Sequence, residues 1–194
     1  MPRFAKLAVS TQFELKCDPA SSIYDELART YAMEVFALDG TVDAENWEVP
    51  VSVGRLSVSL ARFDVALNLG KDPVLVADAV SGVLCELAEL LESEEVSVGE
   101  IAKGIHNDCL IVHGIDIRPD LAGTVVEHDA IRVALIGLST GVSRAFLDLG
   151  GDFEGRAREL NEATLRYAPL GFRPVQLGSN LLWLDMEQAS FWAS

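Results

Sequence analysis

The run Cys109-Leu-Ile-Val-His-Gly-Ile-Asp-Ile117 constrains this chain more than any other stretch. It is apolar at nearly every position rather than at every second one. A strand of that kind is buried on both faces, as the central strands of α/β sheets are. Both covers must then come from neighbouring amphipathic segments, and the sequence supplies them. After the break Arg118-Pro-Asp-Leu-Ala-Gly-Thr124, the spacing of Ile131, Ala134, Leu135, Leu138 and Val142 predicts a helix that begins near residue 127.

The remaining segments read as alternating strands and helices. Residues 4–17 are strand-like. Asp18-Pro19 is a capped helix start, and Ile23, Leu27, Tyr31 and Val35 follow at helical spacing up to Gly40. Residues 49–67 alternate with phase changes at Gly54-Arg55 and Ala61-Arg62, which predicts two antiparallel strands or one long bent strand. Asp72-Pro73 opens a helix carrying Val76, Val80, Val83, Leu84, Leu87 and Leu91, with Glu86, Glu89 and Glu92 outside. A short helix is expected at 97–105 and a strand at 145–149. A helix capped by Asp152 and two strands, 172–176 and 181–186, complete the chain. Pro174 implies an edge position or a strand start. The expected fold is one domain, 1–194, with a mixed, mainly antiparallel central sheet flanked by helices.

A chain of 194 residues with 49% hydrophobic content can bury a substantial core. No apolar run reaches the roughly 18 residues of a membrane span, and Met1-Pro-Arg-Phe-Ala-Lys lacks a signal-peptide core. Cys17, Cys85 and Cys109 are scattered among apolar residues, which suits small buried side chains in a reducing cytoplasm and no metal site. Fifteen basic against thirty acidic residues leave a net charge of -15. That argues against direct binding of nucleic acid or anionic membrane. It fits plain solubility, or attraction of a small cationic amine or a basic protein.

The C-terminal segment Arg158-Glu-Leu-Asn-Glu-Ala-Thr-Leu-Arg-Tyr-Ala-Pro-Leu-Gly-Phe-Arg-Pro-Val175 is an amphipathic helix that stops at Gly171 and turns at once into a strand. It resembles the part of the GNAT acetyltransferase superfamily in which a helix ends in Tyr-x-x-x-Gly-Phe. The resemblance implies a GNAT-like fold, here with an extra helix near residues 72–92, and acetyl-CoA as cofactor. It implies that Tyr167 protonates the departing thiolate. It implies that the backbone at Ile115 and Ile117 holds the pantetheine arm, that Gly123 and Thr124 face the pyrophosphate, and that Asn161 contacts the cofactor. Asp116 is the candidate base, with His113 and Glu127 also available. The family loop Arg/Gln-x-x-Gly-x-Gly/Ala keeps Gly123 alone here, and Glu127 and Asp129 add negative charge beside the helix start.

Two readings follow. One is an N-acyltransferase that moves an acetyl group from acetyl-CoA to an amine. The other is a GNAT-like fold without catalysis that serves as a binding or regulatory module. The loop at 118–127 separates them: an open phosphate cradle supports the first, an acid-capped loop the second.

Overall fold

The computed structural model describes residues 4–12, 27–39, 51–78, 108–150, 157–176 and 179–187, with positions 82, 85, 87 and 88. Among the described residues seven strands form one sheet: β1 (Phe4–Gln12), β2 (Ala28–Asp39), β3 (Val51–Ala61), β4 (Cys109–Ile117), β5 (Arg144–Asp148), β6 (Arg173–Pro174) and β7 (Leu181–Asp185). The helices are α1 (Phe63–Asn68), α2 (Pro73–Asp78), α3 (Val125–Leu138) and α4 (Ala157–Tyr167). The strand order is β1-β2-β3-β4-β5-β7-β6. β4 and β5 run parallel, and every other neighbouring pair is antiparallel. This is the mixed, mainly antiparallel GNAT-like sheet expected from the sequence, with β4 in its interior.

Two layers cover the sheet. On one face Met33, Val35, Leu56, Val58, Leu110, Val112, Ala145, Leu147, Leu182 and Leu184 pack with Ile131, Ala134 and Leu135 of α3 and with Tyr167 at the end of α4. On the other face Ala61, Cys109, Ile111, Phe146 and Trp183 pack with Phe63, Ala77, Leu87 and Ala88. β4 therefore needs apolar side chains on both parities, which is why its sequence does not alternate. Burial pushes the Cys109 thiol up to about 12, against the pull of Arg144, so it is a small inert core residue.

The helix expected from Asp18 to Gly40 is contradicted over residues 28–39, which are strand β2. Leu27, Tyr31 and Val35 recur every four residues, and a spacing of four also satisfies the period of two. Ala28, Thr30, Tyr31, Val35 and Phe36 instead pair with β3. The Asp18-Pro19 cap and Gly40 lie outside the described residues.

The strand expected over 63–67 is also contradicted. Those residues form α1, with Phe63 and Ala66 inward and Val65 and Leu67 exposed. Its first turn is capped from a distance: Asp108 Oδ1 accepts the Asp64 N–H at 2.9 Å, and Arg62 pairs with the same carboxylate at 3.2 Å. A cap supplied 44 residues away leaves no local trace.

The phase change at Gly54 is real. The β2–β3 register shifts between Val35 and Phe36, opposite Gly54 and Ser52. A Cβ on Gly54 would lie 2.4 Å from the Asp116 carbonyl oxygen, so only glycine lets β3 approach the end of β4 here. Asp72 caps α2 as expected, with its Oδ1 accepting the Val74 N–H at 2.9 Å. The backbone is helical again at 82, 85, 87 and 88, within the extra helix expected near 72–92. The short helix expected at 97–105 and the cap at Asp152 lie outside the described residues. α4 ends in a 3-10 turn, Ala168–Leu170, and Gly171 stops it at a φ of 91°.

Candidate functional site

β4 is bent at one residue. In its ladder with β3, Ser57 faces Gly114 and Val58 faces Val112, so His113 is the extra residue of a β-bulge. The pairing of β4 with β5 ends at the same point, with Val112 opposite Leu147. From His113 to Ile117 the side of β4 that faces away from β3 has no strand partner among the described residues. The pairing of the two parallel strands thus ends in a fork at the bulge. Ile115 and Ile117 pack on the α3 face of the sheet, and Asp116 between them is exposed on the other.

His113 is half-buried at this fork. Its Nε2 and Ser59 Oγ hydrogen bond at 3.0 Å, and Ser59 Oγ meets Thr30 Oγ1 at 2.7 Å. Burial holds the imidazole below its ordinary pKa, opposed by the charge of Asp148. Ser59 and Thr30 carried no sequence signal, because their contact with His113 exists only once β2, β3 and β4 are aligned. The sign of the pH effect follows. The unfolded chain binds a proton near pH 6.5 and the folded chain does so less readily. The stabilisation is fully present above that value and falls as pH drops through the lowered folded value. His113→Gln is expected to flatten this part of a melting-temperature profile recorded from pH 7.5 to 5. An unchanged slope would remove His113 from the account.

The loop after β4 is closed by its own residues. Arg118 N–H donates to the Val53 carbonyl at 2.9 Å, and Leu121 N–H and Ala122 N–H donate to the Arg118 carbonyl at 2.9 and 3.1 Å. Arg118 and Asp120 form a two-point pair, which holds the Asp120 carboxyl below its ordinary pKa. Thr124 caps α3: its Oγ1 accepts the Val126 N–H at 3.3 Å and donates to the Leu121 carbonyl at 2.6 Å.

Glu127, in the first turn of α3, is 0% exposed. Its Oε2 accepts the Gly123 N–H at 2.8 Å and takes a charged hydrogen bond from Arg166 of α4. Its Oε1 has no hydrogen-bond partner in standard geometry among the described residues. Arg166 also lies over the Tyr167 ring, with its guanidinium carbon 5.4 Å from the centroid.

Tyr167 is 6% exposed and packs in the core with Val112, Ile117 and Ala130. Burial first, and the Glu127 carboxylate second, push its phenol above the ordinary range. The hydroxyl thus sits beside the Glu127 carboxylate. Tyr167 belongs to the α3 face and Asp116 to the opposite one, so the fold does not bring the two catalytic candidates together. Asn161 is exposed on α4.

Acetyl-CoA does not fit this loop as it stands. A pyrophosphate would need the Gly123 amide, which Glu127 holds, and would meet a buried carboxylate at the helix start. Arg166, the cation that completes the closure, carries no local sequence signal. Its partner lies 39 residues away on another helix.

No family model and no curated protein matches this sequence. Among solved structures, the chain is similar to a tyrosine-to-phenylalanine mutant of KacT, with a TM-score of 0.46 at 13% identity over 93% of this chain and 95% of that one. It is likewise similar to a KacTA–DNA complex, at 0.43 and 14% identity over 94% of each chain. The GNAT-like class stated for the fold rests on strand order and direction.

Proposed function

We propose that this chain is a GNAT-like fold that works as a binding or regulatory module, without acetyl transfer. The observation that carries the reading is the Glu127 carboxylate, seated on the Gly123 amide and paired with Arg166 where a coenzyme pyrophosphate would lie. The Glu127 carboxylate beside Tyr167 supports it, since it adds to the burial that makes the phenol hold its proton more tightly. The net charge of -15 favours a basic protein or a small cationic amine as the bound partner. Members of the superfamily use acetyl-CoA, and this reading separates the chain from them at the cofactor step.

The test is a thermal shift with acetyl-CoA. A ligand at about 100 times its dissociation constant stabilises its protein by roughly 2.7 kcal/mol. No shift at millimolar acetyl-CoA is the expected result, and a saturable rise in melting temperature would contradict the reading.

The fork between β4 and β5 favours a second reading, acyl transfer to an amine, because it is the groove such a reaction would use. Tyr167→Phe separates the two. Under the second reading turnover drops by about 10²–10⁴-fold at constant stability. Under the first there is no turnover to lose, and the hydroxyl contributes at most about 1 kcal/mol to stability.

A further inference from the structure

The sheet has two edges, and the chain treats them differently. β6 is only two residues long and contains Pro174, which has no N–H to offer. Such an edge gives another strand little to pair with. β1 is the other edge. It spans nine residues, and on the side away from β2 it has no strand partner among the described residues. An edge of that length presents a row of open N–H and C=O groups.

Exposed edges are commonly guarded by proline, charge or bulges. In β1 such guards sit at one end. Lys6 is its one charged residue, and its register with β2 shifts between Phe4 and Lys6. From Leu7 to Gln12 the register is regular, and Leu7-Ala-Val-Ser-Thr-Gln12 holds no proline, glycine or charge.

We infer that β1 is the interface for a second copy of this chain, the two β1 strands pairing antiparallel over residues 7–12 so that one sheet runs through both copies.

Three observations select a second copy as the occupant. An edge strand is complementary to itself: a two-fold axis normal to the sheet lays residues 7–12 antiparallel to the same residues of the copy, open N–H to open C=O. Charge points the same way. A net charge of -15 makes two copies repel, but the first acidic residue is Glu14, so β1 brings no carboxylate to the contact. A basic partner would find none there to attract it. The third observation is apolar surface. α3 packs on β1 and carries Val133 and Ile136, 45% and 42% exposed. The two-fold axis keeps both α3 helices on one side of the joined sheet, so each copy adds exposed apolar helix surface on that side. The pairing asks nothing of the loop at 118–127, so it stands or falls apart from the acetyl-CoA test.

Sedimentation equilibrium on the full chain, from micromolar to near-millimolar protein, reads the mass. It is expected to rise from 21.0 kDa toward twice that value. At fixed protein concentration the dimer fraction should grow with salt, which screens the shared negative charge. Hydrogen exchange then locates the contact. Every second amide of residues 7–12, those directed away from β2, should exchange at least about tenfold more slowly in the dimer. Ser10→Pro and Thr11→Pro probe the same edge. Successive amides point to opposite sides of a strand, so one change removes a β1–β2 hydrogen bond and the other only an open N–H. The variant that keeps the melting temperature of dilute wild type should stay monomeric. If neither variant folds, the exchange pattern of the wild type decides.

A mass that stays at 21.0 kDa throughout would overturn the proposal. So would a dimer that salt weakens, since that marks attraction between opposite charges. A dimer in which the outward amides of residues 7–12 exchange as fast as in the monomer would overturn it too, because the contact would then lie on another surface.

Discussion

Arg166→Ala is expected to destabilise the protein by about 3 kcal/mol, the lower end of the range for breaking a buried ion pair. The side chain of Glu127 is 0% exposed and that of Arg166 is 36% exposed. The loss is therefore one-sided: water can hydrate the arginine, but the carboxylate left behind keeps only the Gly123 amide. Because the pair ties α3 to α4, the variant should also loosen the packing of Tyr167 between them. Denaturant unfolding checks the number. Glu127→Gln in the same background should recover most of the loss, since it removes the stranded charge. Such recovery is a coupling that independent sites do not give. Additive losses from the two changes would mean that the pair is a surface contact of little value.

Phe146→Ala is expected to cost about 3–5 kcal/mol. Phe146 is 0% exposed and packs with Ile111, Trp183, Ala77 and Leu87. Its ring joins the middle of β5 to the layer built by α1, α2 and residues 87 and 88, so truncation leaves a cavity that no neighbour can fill without moving the sheet. In a chain of this size the melting temperature should fall by roughly 10 °C. Phe146→Leu, which keeps most of the volume, should cost less than about 1.5 kcal/mol. A small effect from the alanine change would mean that this layer is not packed as described.

The sheet and its second half were legible because their signals are strong and local. An unbroken apolar run can hardly be anything but a central strand, and β4 is one. The pattern after it, the stop at Gly171 and the Asp72 cap all rest on short-range chemistry. The misreadings share one cause. A spacing of four suits a helix and a strand alike, so Leu27, Tyr31 and Val35 could not decide between them. Three alternating residues, Phe63, Val65 and Leu67, could not outweigh a cap donated by Asp108 from far along the chain.

The candidate site divides in the same way. Thr124-Val-Val-Glu127 is a capping-box pattern, a signal that could have marked Glu127 as the residue that closes the loop. In the folded chain its carboxylate reaches back to Gly123, one residue beyond the cap itself. Arg166, and the alignment of Thr30 and Ser59 with His113, depend on which elements pack together, and no local pattern encodes that.

The claim that everything turns on is that the Gly123 amide belongs to Glu127. It can be observed directly by following backbone amide resonances of the labelled protein during an acetyl-CoA titration. The account predicts that the signals of Gly123, Thr124, Val125 and Val126 stay in place at millimolar acetyl-CoA, and that Glu127→Ala shifts the Gly123 signal without any ligand. Saturable movement of those four amides in the wild type would contradict it, for it would mean that a pyrophosphate reaches the loop that Glu127 is said to close.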